Sequence, residues 1–321
     1  MEMSKWFDTN YHYLVPEFEA DPVFKLSSTK IFDEYREARA LGVETRPVLV
    51  GPLTYARIGK KREGADYSRS TLLARLAPVY IEVLQRLAKE GATWVQIDEP
   101  ALALDLPERY RDATLSAYRQ IAAAVPGIRI LLTTYFDSLR DNTGLTFSLP
   151  VAGVHIDLCR GPGQANTTAN DADKLLGDAL DRIGDRVLSL GVVDGRNIWK
   201  NDLRIALLRV SRAVEKLGKS RVFVAPSCSL LHSPIDLAPE EKLPADLRSW
   251  LAFATQKLGE ISALARGANQ GVLAIKAEID VSERARKDRR QSLRINDLTV
   301  QRRLTAIGPD MKNRRSAFKE R

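Results

Sequence analysis

The sequence is poor in cysteine and histidine, and it lacks long apolar runs. Among 321 residues there are only two cysteines, Cys159 and Cys228, and three histidines. Two cysteines cannot form a disulfide framework, and the N-terminus lacks the charged-then-apolar pattern of a signal peptide, so we expect a cytoplasmic protein. No apolar run approaches the roughly 20 residues needed to cross a bilayer, and we therefore expect no membrane contact.

Metal-binding spacings are also missing. No His-x-Cys, Cys-x-x-Cys or His-Glu-x-x-His pattern occurs. The possible ligands fall at the ends of two predicted strands, and a zinc site needs three or four such groups to converge. They are His155, Asp157, Cys159, Cys228 and His232. Packing of two thiols in the core is the simpler interpretation, so we predict no metal in this chain.

The formal charge of +8 is unevenly distributed. Residues 276–321 contain 14 Lys and Arg against seven Asp and Glu, so the remaining 275 residues are nearly neutral. A basic tail on a neutral body is typical of a solvated helix, a linker or a docking face. No nucleic-acid-binding motif accompanies it, and we expect no nucleic-acid partner.

Short apolar runs, each followed by a helical pattern, recur along the chain. Runs of this kind are typical of strands that are buried on both faces of a parallel sheet. They lie at residues 47–52, 94–100, 130–136, 154–159, 187–196 and 222–228. Amphipathic helices are predicted between them, for example over 70–91, where Pro78 predicts a kink or a break.

Alternating strands and helices at this spacing predict an α/β fold of the (β/α)8 TIM-barrel type. A closed barrel of this type has eight strands, whereas six are recognisable, so the barrel is predicted to be incomplete. We assign residues 1–270 to the barrel, which includes a long helix over 247–269. Residues 271–321 are assigned to a basic, partly helical tail.

Functional side chains of parallel α/β folds gather at the C-terminal ends of the strands. These ends carry possible pocket-lining residues, namely Asp98, Glu99, Tyr135, Asp157, Asp194 and His232. Several carboxylates around one mouth could bind an amine or act as acid and base. Asp98 and Glu99 are adjacent on a strand and point to opposite sides, so only one of them can face the pocket.

The opening segment KWFDTNYHYLVPEF, residues 5–18, has the composition of a binding site. It contains five aromatic residues together with Lys5, Asn10 and His12. We add Asn10 and His12 to the possible pocket-lining residues.

Four segments together give the sequence a specific resemblance. MSKWFDTNYHYLVPEF, PVLVGPLTY, GATWVQIDEPALALDL and VFVAPSCSLLHSP resemble the N-terminal domain of cobalamin-independent methionine synthases. The resemblance extends over essentially the whole chain. It implies a methyltransferase family that moves a methyl group from 5-methyltetrahydropteroyl-triglutamate to homocysteine, with a catalytic zinc in a second, C-terminal barrel.

The resemblance also implies roles for individual residues. It assigns Lys5 to the polyglutamate tail of the folate, and an ammonium group suits a chain of carboxylates. The strand that would carry a His-x-Cys zinc pair reads TTYFDS here, and Cys228 matches a distant ligand position that is left over. The basic tail matches the region that joins the two barrels. We therefore expect a chain without the first two barrel strands and without the zinc barrel, inactive alone.

Two other interpretations stay open at this point. The chain could be a non-catalytic scaffold, or a truncated relic, that pairs with a separate zinc-barrel subunit through exposed strand edges. It could also be a different barrel enzyme, similar in architecture to uroporphyrinogen decarboxylase, that uses Asp98, Asp157 and Asp194 on another small substrate.

Overall fold

The computed structural model describes residues 2–159, 169–313 and 316, and these contain ten strands. The strands are β1 (Met3–Lys5), β2 (His12–Leu14), β3 (Glu17–Phe18), β4 (Val48–Val50), β5 (Lys60–Lys61), β6 (Trp94–Asp98), β7 (Arg129–Thr133), β8 (Gly153–Asp157), β9 (Val187–Val193) and β10 (Val222–Pro226). Six of them form one parallel sheet in the order β10-β9-β8-β7-β6-β4. All six predicted strands are therefore confirmed.

Eleven α-helices lie between and after these strands in the same described ranges. They are α1 (Lys30–Ala40), α2 (Pro52–Ile58), α3 (Leu72–Lys89), α4 (Glu108–Ala124), α5 (Thr143–Ser148), α6 (Ala169–Arg182), α7 (Leu203–Leu217), α8 (Ala245–Trp250), α9 (Ala254–Gln270), α10 (Lys276–Gln291) and α11 (Leu298–Thr305). Helix α7 shows how the sequence sets the boundaries. Asp202 accepts a hydrogen bond from the N–H of Ile205 at its start, and Gly218 ends it with a positive φ of 82°.

Helix α3 corrects one detail of the sequence analysis. A kink or a break was predicted at Pro78; the helix is continuous through that residue, so the break is wrong and the kink stays a prediction. Seven apolar side chains of α3 are buried, among them Leu73, Leu84 and Leu87. Packing of this face holds the helix together although proline removes one backbone hydrogen bond.

The six-stranded sheet curves strongly, as an incomplete barrel would. The rings of Trp94 on β6 and Phe223 on β10 lie 5.8 Å apart. These strands are four places apart in the sheet, so a flat sheet would separate them by roughly 19 Å. The sheet therefore bends until side chains on its concave face meet, and the helices pack on its convex face. Its fold is that of an incomplete TIM-like barrel.

The two edge strands of this sheet are β4 and β10, and within the described residues neither pairs on its outer side. Val48 and Val50 of β4 are 53% and 39% exposed. The corresponding positions of the interior strands are largely covered. The barrel is thus open between β4 and β10.

The C-terminal region begins by packing on the barrel. Ile275 and Ile279 are buried in the main hydrophobic core, whereas α11 is exposed along its length. The division at residue 270 stays a prediction. Residues 314, 315 and 317–321 of the predicted tail lie outside the described residues.

No helix in the described part of the chain is both long enough and apolar enough to span a membrane.

Candidate functional site

The opening segment forms a hairpin over the C-terminal end of the sheet. Strand β1 pairs with β2 in antiparallel register, with Lys5 opposite His12. The tip is closed by a hydrogen bond from the N–H of Trp6 to the carbonyl of Tyr11. Trp6 and Phe7 pack against a small cluster made by Tyr135, Phe136 and Cys228, which follow β7 and β10. The segment that the sequence marked as site-like therefore covers the mouth of the barrel.

Polar contacts fix the hairpin to the barrel. Arg196, in the loop after β9, donates to the carboxylate of Asp8 at 2.6 Å and to its carbonyl at 3.0 Å. The Arg196 side chain is 10% exposed and that of Asp8 is 42% exposed, so water screens this pair in part. Tyr11 donates from its hydroxyl to the carbonyl of Leu231 at 2.7 Å. These bonds hold the two ends of the hairpin tip against two different loops.

Edge-to-face and tilted aromatic contacts continue across the mouth. The ring of Phe136 lies 5.8 Å from Phe7 and 5.4 Å from His232, and Tyr11 lies 5.2 Å from His232. Phe7 and Phe136 both have positive φ, at 51° and 79°. Non-glycine residues rarely adopt this conformation, and it persists only where the surrounding contacts enforce it.

Asp98 is the carboxylate of the IDEP segment that lies on the concave face. It accepts hydrogen bonds from Gln96 at 2.8 Å and from the Tyr135 hydroxyl at 3.0 Å. Burial raises the pKa of Asp98 to about 6, although Gln96, Tyr135 and the charge of Arg46 act in the opposite direction. The group therefore titrates near neutral pH, in the range where a carboxylate can exchange protons.

Glu99 lies on the opposite side, as the strand geometry predicts, and is completely buried. Its two oxygens accept from the backbone N–H groups of Leu53 and Thr54, at 3.0 and 2.7 Å, and from the Tyr118 hydroxyl at 2.9 Å. Gly51 is required beside it, because a Cβ at that residue would lie 2.1 Å from the Glu99 carboxyl carbon. Glu99 thus fastens the start of α2 to β6 and does not face the mouth.

Asp157 and Asp194 both hold the backbone that follows their own strands. Asp157 accepts from the N–H groups of Cys159 and Phe136, at 2.8 and 3.3 Å. Asp194 accepts from the N–H of Arg196 and from the side-chain amide of Asn197, both at 2.8 Å. Their carboxylates therefore shape the loops at the mouth, including the loop that carries Arg196.

His155 is a buried packing residue within the concave face. Its ring nitrogens lie 2.9 Å from the Ser189 hydroxyl and 3.3 Å from the carbonyl of Ser227. Burial lowers the pKa of His155 to about 4, so the ring is neutral at physiological pH.

The residues near the mouth do not fit a zinc ion. No group of three or more His, Cys, Asp or Glu side chains in the described part of the chain could hold a metal. Burial, followed by the charge of Asp157, raises the pKa of the Cys228 thiol to about 12, whereas a zinc ligand must be a thiolate.

The predicted site residues fall into three groups. Lys5, Asn10 and His12 are exposed on the hairpin. Asp98, Tyr135 and His232 are linked to the hairpin through the aromatic cluster. Glu99, Asp157 and Asp194 are engaged by the protein's own backbone.

The sequence did not predict the roles of two residues in this region, Arg196 and Lys257. Arg196 lies at the end of a predicted strand, but its partner Asp8 is 188 residues away. Lys257 looked like an ordinary polar position of a helix, yet it is completely buried. Its ammonium donates to the side-chain oxygen of Asn197 and to the carbonyl of Trp199, at 3.3 and 3.2 Å. In the sequence, the feature that indicates burial of Lys257 is its position among apolar residues of α9.

Comparison with known proteins identifies the family of this chain. Residues 1–218 match the family described as "Cobalamin-independent synthase, N-terminal domain". The chain belongs to this family. The recognition made from the sequence motifs is confirmed.

Relatives of full length carry the name 5-methyltetrahydropteroyltriglutamate–homocysteine methyltransferase. One from Nitrobacter winogradskyi is 49% identical over 320 residues, covering 100% of this chain and 40% of the relative. One from Rhodopseudomonas palustris strain CGA009 is 50% identical over 320 residues, covering 100% of this chain and 39% of the relative. This N-terminal domain therefore spans about two fifths of the length of these relatives.

A solved structure agrees with the fold. A B12-independent methionine synthase from Shewanella sp. W3-18-1, in complex with selenomethionine, superposes with a TM-score of 0.58 and 16% sequence identity. The match covers 85% of this chain and 75% of that chain.

Proposed function

We propose that this N-terminal domain contributes to binding the polyglutamate tail of 5-methyltetrahydrofolate, for methyl transfer to homocysteine in methionine biosynthesis. The full-length relatives are named for that reaction. The domain itself supplies a positively charged contact, and the chemistry belongs to the part of the relatives that this chain does not match. The zinc-bearing barrel of the family is its proposed partner.

The observation that carries this proposal is the position of Lys5. It ends strand β1, on a hairpin anchored to the barrel by Asp8, Tyr11 and the aromatic cluster. Its side chain is exposed, and within the described residues its ammonium has no hydrogen bond or ion pair. A flexible ammonium on a fixed support is suited to a chain of carboxylates.

The alternative of a separate barrel enzyme has less support. It requires Asp98, Asp157 and Asp194 to act on a substrate together. Asp157 and Asp194 already accept hydrogen bonds from loop N–H groups, which leaves Asp98 as the carboxylate best placed for such a role.

Replacement of Lys5 tests the proposal. Titration calorimetry with triglutamyl 5-methyltetrahydrofolate should show saturable binding, weakened about two- to fivefold by Lys5→Ala, as expected for one exposed ion pair. The monoglutamate should bind equally to both proteins, because it lacks the distal carboxylates.

Lys25→Ala is the matched control, since Lys25 is another exposed lysine without an ion pair in the described part of the chain. It should leave triglutamate binding unchanged. Equal affinity of wild type and Lys5→Ala, or an equal loss in both variants, would remove Lys5 from the folate site. Absence of saturable binding by the folded chain would overturn the proposed function.

A further inference from the structure

A polar cavity lies beside the loop that follows β9. Its volume is about 300 Å³, and it is bounded by the loop after β9, the first turns of α7 and one face of α10. Charged side chains dominate its lining, namely Asp194, Lys200, Asp202, Arg209, Arg286 and Arg289. Helix α10 belongs to the region that the sequence analysis described as a basic tail, so part of that tail forms a cavity wall.

Positive charge exceeds negative charge on this lining. Among the described residues of the lining, four cations face two carboxylates, and both carboxylates are already engaged. Asp194 accepts from the N–H of Arg196 and the amide of Asn197. Asp202 caps α7 and pairs with Arg286.

Two of the four cations are not paired with a carboxylate in the described residues. Arg209 pairs with Asp173 at 2.8 Å, and Arg286 pairs with Asp202. Lys200 instead donates to the carbonyls of Ser249 and Leu251, at 2.8 and 3.2 Å. These acceptors are neutral, so they satisfy the hydrogen bonds of the ammonium without balancing its charge.

Arg289 is the second of these cations. Its guanidinium lies 4.2 Å from the centroid of the Trp199 ring. Burial, followed by the neighbouring charges of Arg286 and Arg290, lowers the pKa of Arg289. A bound anion would relieve this repulsion, and a guanidinium fork can donate two parallel hydrogen bonds to a carboxylate or phosphate.

The cavity is built on fixed backbone. Ser282 of α10 donates to the carbonyl of Asn201, and the Asn201 amide donates to the carbonyl of Val192 at 2.9 Å. Behind the same loop, Lys257 donates to Asn197 and Trp199, and Glu260 accepts from the N–H of Asn201 at 2.9 Å. Glu260 lies near both Lys257 and Lys200, so its single charge offsets the two ammonium groups only in part. A preorganised site of this kind loses little freedom when a ligand binds.

We propose that this cavity binds a small doubly charged oxyanion between Lys200 and Arg289. Within the described residues Lys200 and Arg289 form no ion pair, and Glu260 offsets the charge of Lys200 only in part. The lining therefore favours an anion with two negative charges, and the cavity of about 300 Å³ has room for a short dicarboxylate or inorganic phosphate. The proposal does not involve Lys5 or the hairpin, so it stands or falls independently of the folate proposal.

Calorimetric titration of the full chain with glutarate and with phosphate, at constant ionic strength, tests the proposal. We expect saturable binding of at least one of them. Arg289→Gln should weaken it about tenfold, which corresponds to loss of one charge-assisted hydrogen bond. Tighter binding of glutarate would identify a dicarboxylate as the ligand, and tighter binding of phosphate would identify a phosphate group.

Arg290→Gln is the matched control, because it removes the same charge from the next, exposed residue of α10. It should change affinity less than twofold. An equal loss in both variants would show only diffuse attraction and would overturn the proposal, as would the absence of saturable binding to the folded wild type. If Arg289→Gln fails to fold by circular dichroism, Lys200→Gln provides the same comparison, and full affinity in that variant would also overturn the proposal.

Discussion

Replacing Glu99 with alanine is expected to lower the free energy of unfolding by about 3–5 kcal/mol. The change removes the acceptor of three buried donors, the N–H groups of Leu53 and Thr54 and the hydroxyl of Tyr118. It also leaves a cavity beside Gly51, into which the backbone cannot easily collapse. Urea denaturation followed by circular dichroism measures the loss.

Two further variants separate this role from a general effect of charge. Glu99→Gln keeps one acceptor oxygen but turns an amide N–H toward the same donors, so it should lose an intermediate amount of stability. Glu108→Ala removes an exposed carboxylate from α4 and should change stability by less than about 0.5 kcal/mol. A cost below about 1 kcal/mol for Glu99→Ala would show that Glu99 does not fasten α2 to β6.

The second large effect concerns pH. Between pH 4 and 7, the wild type is expected to lose about 2–3 kcal/mol of unfolding free energy relative to Asp98→Asn. The pKa of Asp98 is raised from 3.8 to about 6 in the folded protein, mainly by burial. The folded state therefore holds the proton more tightly than the unfolded state. The contribution of the bound Asp98 proton to the free energy of unfolding is complete below pH 3.8 and is lost as pH rises through about 6.

Urea denaturation of both proteins at intervals across this range measures the difference. Tyr135→Phe provides a directional check, because it removes a hydrogen bond that lowers the pKa of Asp98. In that variant the loss of stability should extend to higher pH. A constant difference between wild type and Asp98→Asn at all pH values would contradict the buried environment assigned to Asp98.

The parallel sheet could be predicted from the sequence because each central strand is buried on both faces. Such strands appear as continuous apolar runs. The edge strands β4 and β10 are partly exposed but have the same apolar composition, so they too could be recognised. The short strands of the hairpin, β1 and β2, have no such signature, since four of their six residues are exposed. The break expected at Pro78 was wrong because the buried face of α3 outweighs the local effect of one proline.

The site could be predicted only in part, for a reason that Glu99 and Asp98 make clear. Strand geometry alone placed them on opposite sides, and that prediction is confirmed. What Glu99 binds could not be predicted, because Leu53 and Thr54 lie 45 or more residues away and become neighbours only in the folded sheet.

The same limit applies to Arg196 and Lys257. The partner of Arg196 is 188 residues distant. Lys257 is buried against Asn197 and Trp199, in the loop after β9. The helical pattern of α9 alone contains no information about that loop. The basic tail likewise gave no sign that Arg286 and Arg289 would line a cavity.

A methyl-transfer assay tests most directly whether this chain is a folate-binding domain rather than a complete enzyme. Residues 1–321 are incubated with triglutamyl 5-methyltetrahydrofolate, homocysteine and zinc, and methionine is measured beside a calorimetric titration of the same preparation. We predict saturable folate binding and no methionine at any zinc concentration. Methionine formed by this chain alone, at a rate that follows enzyme concentration, would contradict the assignment.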